Sequence, residues 1–148
     1  MLANAGTQSV DGYEFDLLFS PAENIDIAIG GTFIDPIYDS FTGSAFGDLS
    51  GTVPSNIADD TISSSVTWNW DRNGWDGYMR LSHLYSSEAV LTENPAAQAL
   101  LESRGNGFRE QDTLNFSAGM QKDNLSISVW GKNINDDEFI TSVFPAVV

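Results

Sequence analysis

The chain has 148 residues, the size of one ordinary domain, and 41% of them are apolar, too many for a disordered chain. Charged residues make up 18%, fewer than in an average soluble domain. With 6 Lys and Arg against 21 Asp and Glu, the net charge of −15 excludes nucleic acid as a natural partner, and the lack of Cys excludes disulfides, thiolate metal sites and cysteine nucleophiles.

The charge is uneven. Residues 1–71 carry eleven carboxylates and no Lys or Arg, whereas residues 72–148 carry ten carboxylates and all six basic residues. The stretch from Met1 has neither a basic n-region nor an apolar h-region, so no secretory signal is expected there. No apolar run reaches about 18 residues, so no transmembrane helix is expected. Transmembrane strands show only as short alternating segments and stay open.

Such segments recur along the chain. Tyr13, Phe15, Leu17 and Phe19 share one face of a strand, against Glu14, Asp16 and Leu18. Ile25, Ile27, Ile29, Gly31 and Phe33 oppose Asp26, Ala28, Gly30 and Thr32. Ile62, Ser64, Val66, Trp68 and Trp70 oppose Thr61, Ser63, Ser65, Thr67 and Asn69. Residues 75–86 and 112–121 alternate less cleanly, but Tyr, Phe, Trp and Leu recur between turn signals, so both are expected as strands. Leu125, Ile127 and Val129 oppose Ser126 and Ser128.

Short and long connections alternate. Residues 20–24, 71–74 and 121–124 have turn composition. Residues 41–56 form a long Gly- and Ser-rich link. Residues 89–109 form another, and its run Asn94 to Arg104 has the composition of one or two helical turns. A third long link is expected after Asp137. The expectation is an all-β antiparallel meander of about six or seven strands, with short turns at one end and long loops at the other. That is the layout of a partial transmembrane β-barrel. A soluble acidic β-sandwich that binds a ligand through its loops shares the one-sided strands. The placement of Trp68, Trp70 and Trp75 around one short turn favours the barrel, because Trp and Tyr gather at membrane interfaces.

Two stretches resemble a known family. GYEFDLLFSPAENIDIAIGGTFIDPIYDSF (Gly12–Phe41) is similar to the barrel of TonB-dependent outer-membrane receptors, with a Gly-x-Glu strand, a Pro turn and an alternating strand ending in a Tyr-x-Asp element. LNFSAGMQKDNLSISVWGKNINDDEFITSVF (Leu114–Phe144) resembles the penultimate region of such barrels. The family's Gly/Val-x-Asn-Leu-x-Asp-x-x-Tyr element reads Gly131 to Phe139 here, with Phe139 in place of Tyr. Between them, residues 48–68 resemble the passage from an outward loop into the next strand, although the family's second proline after Pro54 is replaced near Ala58. The resemblance covers most of residues 10–144.

The resemblance implies that residues 1–148 are one partial barrel domain, a C-terminal segment of a receptor. These barrels have about 22 strands. The plug domain and TonB box would lie upstream, and the closing aromatic strand is missing at Pro145–Val148. It further implies a non-enzymatic protein of the bacterial outer membrane. The whole receptor would import a scarce nutrient such as a ferric siderophore. Its partners would be outer-membrane lipid and, through the missing N-terminal part, the TonB system. A porin-like channel would differ only in what lies upstream.

No catalytic residue, metal ligand or cofactor is assigned, and the ligand-contacting residues stay unknown. His83 lacks a second His or a Cys and reads as a strand-face residue. Asp59-Asp60, Asp136-Asp137-Glu138 and the run Asp71-x-Asn73-Gly74-x-Asp76 fail the spacing of a calcium loop and read as solvated turns. Glu14, Asp16 and Asp26 read as a hydrated lumen wall, with Arg80 placed to neutralise one of them. Gly-x-Ser-x-Gly and Gly-rich phosphate loops are absent. The sequons at Asn115 and Asn124 lie in or beside strands. Phe41, Phe46, Leu91 and Phe108 are apolar residues in or beside the long loops, which are the expected site of substrate contact.

Overall fold

A computed structural model describes residues 6–143. The expectations that concern Met1 and residues 144–148 lie outside the described residues. Six strands follow one another as β1 (Thr7–Ala22), β2 (Ile25–Ser40), β3 (Asp60–Arg72), β4 (Trp75–Val90), β5 (Phe108–Lys122) and β6 (Leu125–Gly131). They form one antiparallel sheet in sequence order, and the sheet does not close on itself. This is the meander expected from the alternation. A sandwich would need a second sheet, and none occurs among the described residues.

Two-residue turns join β1 to β2, β3 to β4 and β5 to β6. The turn Asn73-Gly74 has φ of 56° and 74°, both left-handed, as a hairpin twisting with its strands requires. Asp71 and Asp76, the ends of the calcium-loop-like run, face each other as a cross-strand pair below this turn.

The other ends carry the long links 41–59 and 91–107. The helical run becomes α1 (Pro95–Ser103). Asn94 caps it, its side-chain oxygen accepting the N–H groups of Ala96 and Ala97, and Pro95 occupies the first helical position, where no N–H is needed. Among the described residues no helix is long and apolar enough to cross a membrane.

Strands β4 and β5 extend beyond the expected limits. The register slips between Ser86 and Ala89, which breaks the alternation without ending the strand. β6 stops at Gly131, and residues 132–137 run on beside β5 in irregular conformation, so the last link starts before Asp137.

The buried apolar residues Leu49, Ala89 and Leu91 all lie at the long-loop end, as does the fully buried Pro36. Among the described residues nothing packs across either face of the sheet. Phe15, Leu17, Phe19, Val66, Trp68, Leu81, Ile127 and Val129 are all exposed.

Candidate functional site

Directly paired residues of an antiparallel ladder share a face, so the registers sort every strand residue. One face carries Tyr13, Phe15, Leu17 and Phe19 of β1 beside Phe33, Gly31, Ile29 and Ile27 of β2. It continues through Ile62, Val66, Trp68 and Trp70 of β3 to Tyr85, Leu81, Met79 and Gly77 of β4. It ends with Leu114, Phe116, Ala118 and Met120 of β5 and Ile127 and Val129 of β6. Glycines on this face seat aromatic rings. A Cβ on Gly77 would meet the Trp70 indole at 2.2 Å, and one on Gly31 would meet the Phe15 ring at 2.5 Å. Tyr13 stacks on Phe33 at 5.0 Å, and Trp68 tilts against Trp70 at 4.9 Å.

The apolar face has sharp limits. Toward the long loops it gives way to Asp11 after Tyr13 and to Asp35 after Phe33, and these two carboxylates are a direct pair. On β3 the change falls between Ile62 and Asp60, and Ile62 pairs with Gly31, one row lower. On β5 it falls between Leu114 and Asp112. Leu114 pairs with His83, His83 with Ser64, and Ser64 with Ile29, a further row lower. The limit therefore descends four residues in the four steps from β1 to β5. At about 3.3 Å per residue and about 4.8 Å per strand, that is a slope of about 35°. The short-turn limit descends in the same sense, from Phe19 on β1 to Trp70 on β3, two rows lower.

The opposite face is mainly polar, with many small side chains, and it also carries Leu18, Leu84, Tyr78 and Trp130. A groove of about 440 Å³ runs over Asp16, Gly30, Ser63, Ser65, Arg80 and Asn115. Arg80 donates to the Ser65 hydroxyl at 3.1 Å and pairs with none of Glu14, Asp16 and Asp26, contrary to the sequence reading. The Asp26 carboxylate accepts instead from Ser20 at 2.7 Å and from Asn69 at 3.1 Å. For Asp26 a neutral hydroxyl and amide take the place that the guanidinium was expected to fill. The face thus offers hydroxyls, amides and carboxylates for hydration and hydrogen bonding.

The long loops form a layer over the strand ends. Gly51 donates to the Tyr38 carbonyl and Tyr38 to the Thr52 carbonyl, so the first loop doubles back on β2. Asn56 donates to the Val90 carbonyl at 2.8 Å, and Arg109 donates to the Asn56 carbonyl at 3.0 Å. The Tyr38 hydroxyl, beyond the acidic row at Asp35, donates to Glu93 of the second loop at 2.6 Å. This bond, with some burial and the carboxylate charge, pushes the phenol up to about 12. In the first loop the Ser50 hydroxyl and N–H hold Asp48 below its ordinary value. Of the apolar loop residues singled out from sequence, Leu91 is buried, Phe41 packs on Tyr38 at 4.9 Å, and Phe46 and Phe108 are exposed.

Beside this layer lies a concavity of about 520 Å³ lined by Glu88, Glu110, Asp112, Asp137 and Glu138 with Phe108 and Phe139. His83 Nε2 lies 2.6 Å from Asp112 Oδ1 at its edge, within hydrogen-bond distance. So the sole histidine is a strand-face residue with a carboxylate neighbour. No group of three metal-ligating side chains occurs among the described residues, and the clusters at Asp59-Asp60 and Asp136–Glu138 do not converge on one point.

Sequence reading missed the run after β6. The Asn133 N–H donates to the Asn115 side chain at 3.0 Å, and the Ile134 N–H donates to the Leu114 carbonyl at 2.8 Å. The Leu114 N–H donates to the Asn135 side chain at 2.8 Å, and the Asp112 N–H donates to Asp137 at 2.8 Å. The density of Asn and Asp in residues 133–137 was the available signal, because these side chains bond to backbone where a ladder stops. Comparison with family models, with curated proteins and with solved structures finds no significant match for this chain.

Proposed function

We propose that the chain is a wall segment of a transmembrane β-barrel in the bacterial outer membrane, and that the barrel is that of a TonB-dependent receptor importing a scarce nutrient such as a ferric siderophore. The observation that carries the barrel reading is the oblique apolar band. A barrel closes only if its strands tilt by about 35–45° to its axis, and a flat apolar belt then crosses each strand at a shifted register. The descent of about 35° from β1 to β5 matches such a shift.

The band is seven residues long on β1 and β5 and nine on β2 and β3. A tilted strand needs about nine to eleven residues to cross a bilayer, and the bacterial outer membrane is thinner than average. Trp68 and Trp70 at one limit, and Tyr13 and Tyr85 at the other, fit the aromatic girdles of such barrels. The long loops then face outward and carry ligand contact, and the polar face lines the lumen.

The receptor reading rests on the two resembling stretches, Gly12–Phe41 and Leu114–Phe144. Its test is the DNA on both sides of the reading frame. Receptor identity predicts an in-frame extension with a plug-like domain and more alternating strands upstream. Further strands without a plug would favour a porin-like channel. Stop codons on both sides, in an intact gene, would contradict the receptor reading.

A further inference from the structure

We infer that the short-turn rim of the apolar face is a docking surface for anionic phospholipid headgroups, made by Arg72, Trp75 and Lys122. This rests on the barrel reading above. Arg72 pairs directly with Trp75, and Lys122 reaches across from β5, its Nζ 6.0 Å from the Trp75 ring centre. Both cations continue the apolar face. Arg72 follows Trp68 and Trp70 in alternation, and Lys122 follows Ala118 and Met120. The other basic strand residues, Arg80 and Arg109, lie on the polar face. Neither Arg72 nor Lys122 has a carboxylate partner among the described residues, and Lys122 donates to the Asn73 carbonyl at 3.1 Å.

The two limits of the apolar face thus carry opposite charge. Asp11, Asp35, Asp60 and Asp112 stand at the long-loop limit, and the cations stand at the short-turn limit. The acids at this end lie off the apolar face: Asp71 and Asp76 form a pair on the polar face, and Glu23 and Asp123 occupy the two-residue turns beyond the strands. In a chain of net charge −15 this placement is the reverse of the average. A guanidinium and an ammonium flanking an indole present two charged donors at headgroup depth, which suits a lipid phosphate. Headgroups with a net negative charge are drawn to this leaflet and repelled at the other limit.

The test uses the protein in the length the cell produces, inserted in phosphatidylcholine bilayers. Trp68→Phe, Trp70→Phe and Trp130→Phe leave Trp75 as the main reporter at this rim. Its fluorescence is quenched by a minor fraction of brominated-chain phosphatidylglycerol or, separately, brominated-chain phosphatidylcholine. The expected result is a local preference of about fivefold for phosphatidylglycerol, which falls to none with Arg72→Gln and Lys122→Gln. High salt should erase it without any substitution. Equal quenching by the two lipids, or a preference that survives both the double substitution and high salt, overturns the inference while leaving the barrel reading intact. Absence of quenching by either lipid overturns both.

Discussion

Asn135 takes the place of a strand residue opposite Leu114. The Leu114 N–H donates to its side-chain oxygen at 2.8 Å, and its side-chain N–H donates to the Asp112 carbonyl. A primary amide offers the same acceptor and donor as a peptide group. The edge of β5 therefore stays satisfied beyond Gly131, where β6 has ended. Asn133 supports the run by exchanging two bonds with Asp137, at 2.9 Å each.

Asn135→Ala removes both bonds at once. Each backbone group left without a partner costs about 1 kcal/mol. The Leu114 amide is expected to exchange its hydrogen about tenfold faster, while amides at the β3–β4 turn do not change. Asn135→Asp keeps the acceptor and loses the donor, so it should fall between the two. Unchanged exchange at Leu114 in the Ala variant would show that the run is held by other contacts.

Trp70 and Gly77 form a matched pair. The indole covers the glycine, so Gly77→Ala puts a methyl group into the ring. The expected cost is about 1–3 kcal/mol in denaturant unfolding from bilayers. In a Trp70→Ala background the same change should cost little, because the obstacle is gone. A double-mutant cycle with no coupling would contradict the pairing.

The Asn73-Gly74 turn is predicted to reject side chains at its second position. Gly74 has φ of 74°, where an L-residue loses about 1–2 kcal/mol. Gly74→Ala should lower unfolding stability by about that much. Asn73→Gly should be close to neutral, because the first position is also left-handed. The comparison reads directly from two unfolding curves.

The Tyr38–Glu93 bond predicts a dependence on alkaline pH. The phenol is pushed up to about 12 in the folded chain and titrates near 10 when unfolded. The folded chain therefore holds this proton more tightly. The stabilisation is fully present below about pH 10 and is lost as pH rises through about 12. Tyr38→Phe should lose about 1–2 kcal/mol at neutral pH. Its difference from the parent should shrink to nothing across that alkaline window. A difference that persists above it would show that Tyr38 acts by packing on Phe41 instead.

Much of this architecture is legible in the sequence. Period-two alternation assigns Ile25–Phe33 and Ile62–Trp70 to the correct faces, because side-chain direction in a strand depends only on parity. The Asn73-Gly74 turn and the Asn94-Pro95 helix start are equally local. Three features needed the register. The descent of the apolar limit exists only once Leu114 is known to stand beside His83. The extension of β4 to Val90 is hidden by the slip after Ser86. The neutral partner of Arg80 could not be foreseen, because polarity alone does not say which polar group on the next strand lies nearest. Asn135 was hidden for a related reason: side chains acting as backbone leave no periodic trace.

What covers the apolar face decides between a membrane wall and a water-facing sheet, and cysteine accessibility measures it directly. Single cysteines at Ile27 and Ile127 lie on the apolar face, and one at Ser63 lies on the polar face. With the protein in bilayers, the first two should react with a membrane-dissolved maleimide and resist a water-soluble one, and Ser63→Cys should do the reverse. Ready reaction of Ile27→Cys and Ile127→Cys with the water-soluble reagent, or protection of both from either reagent, would contradict a lipid-facing wall.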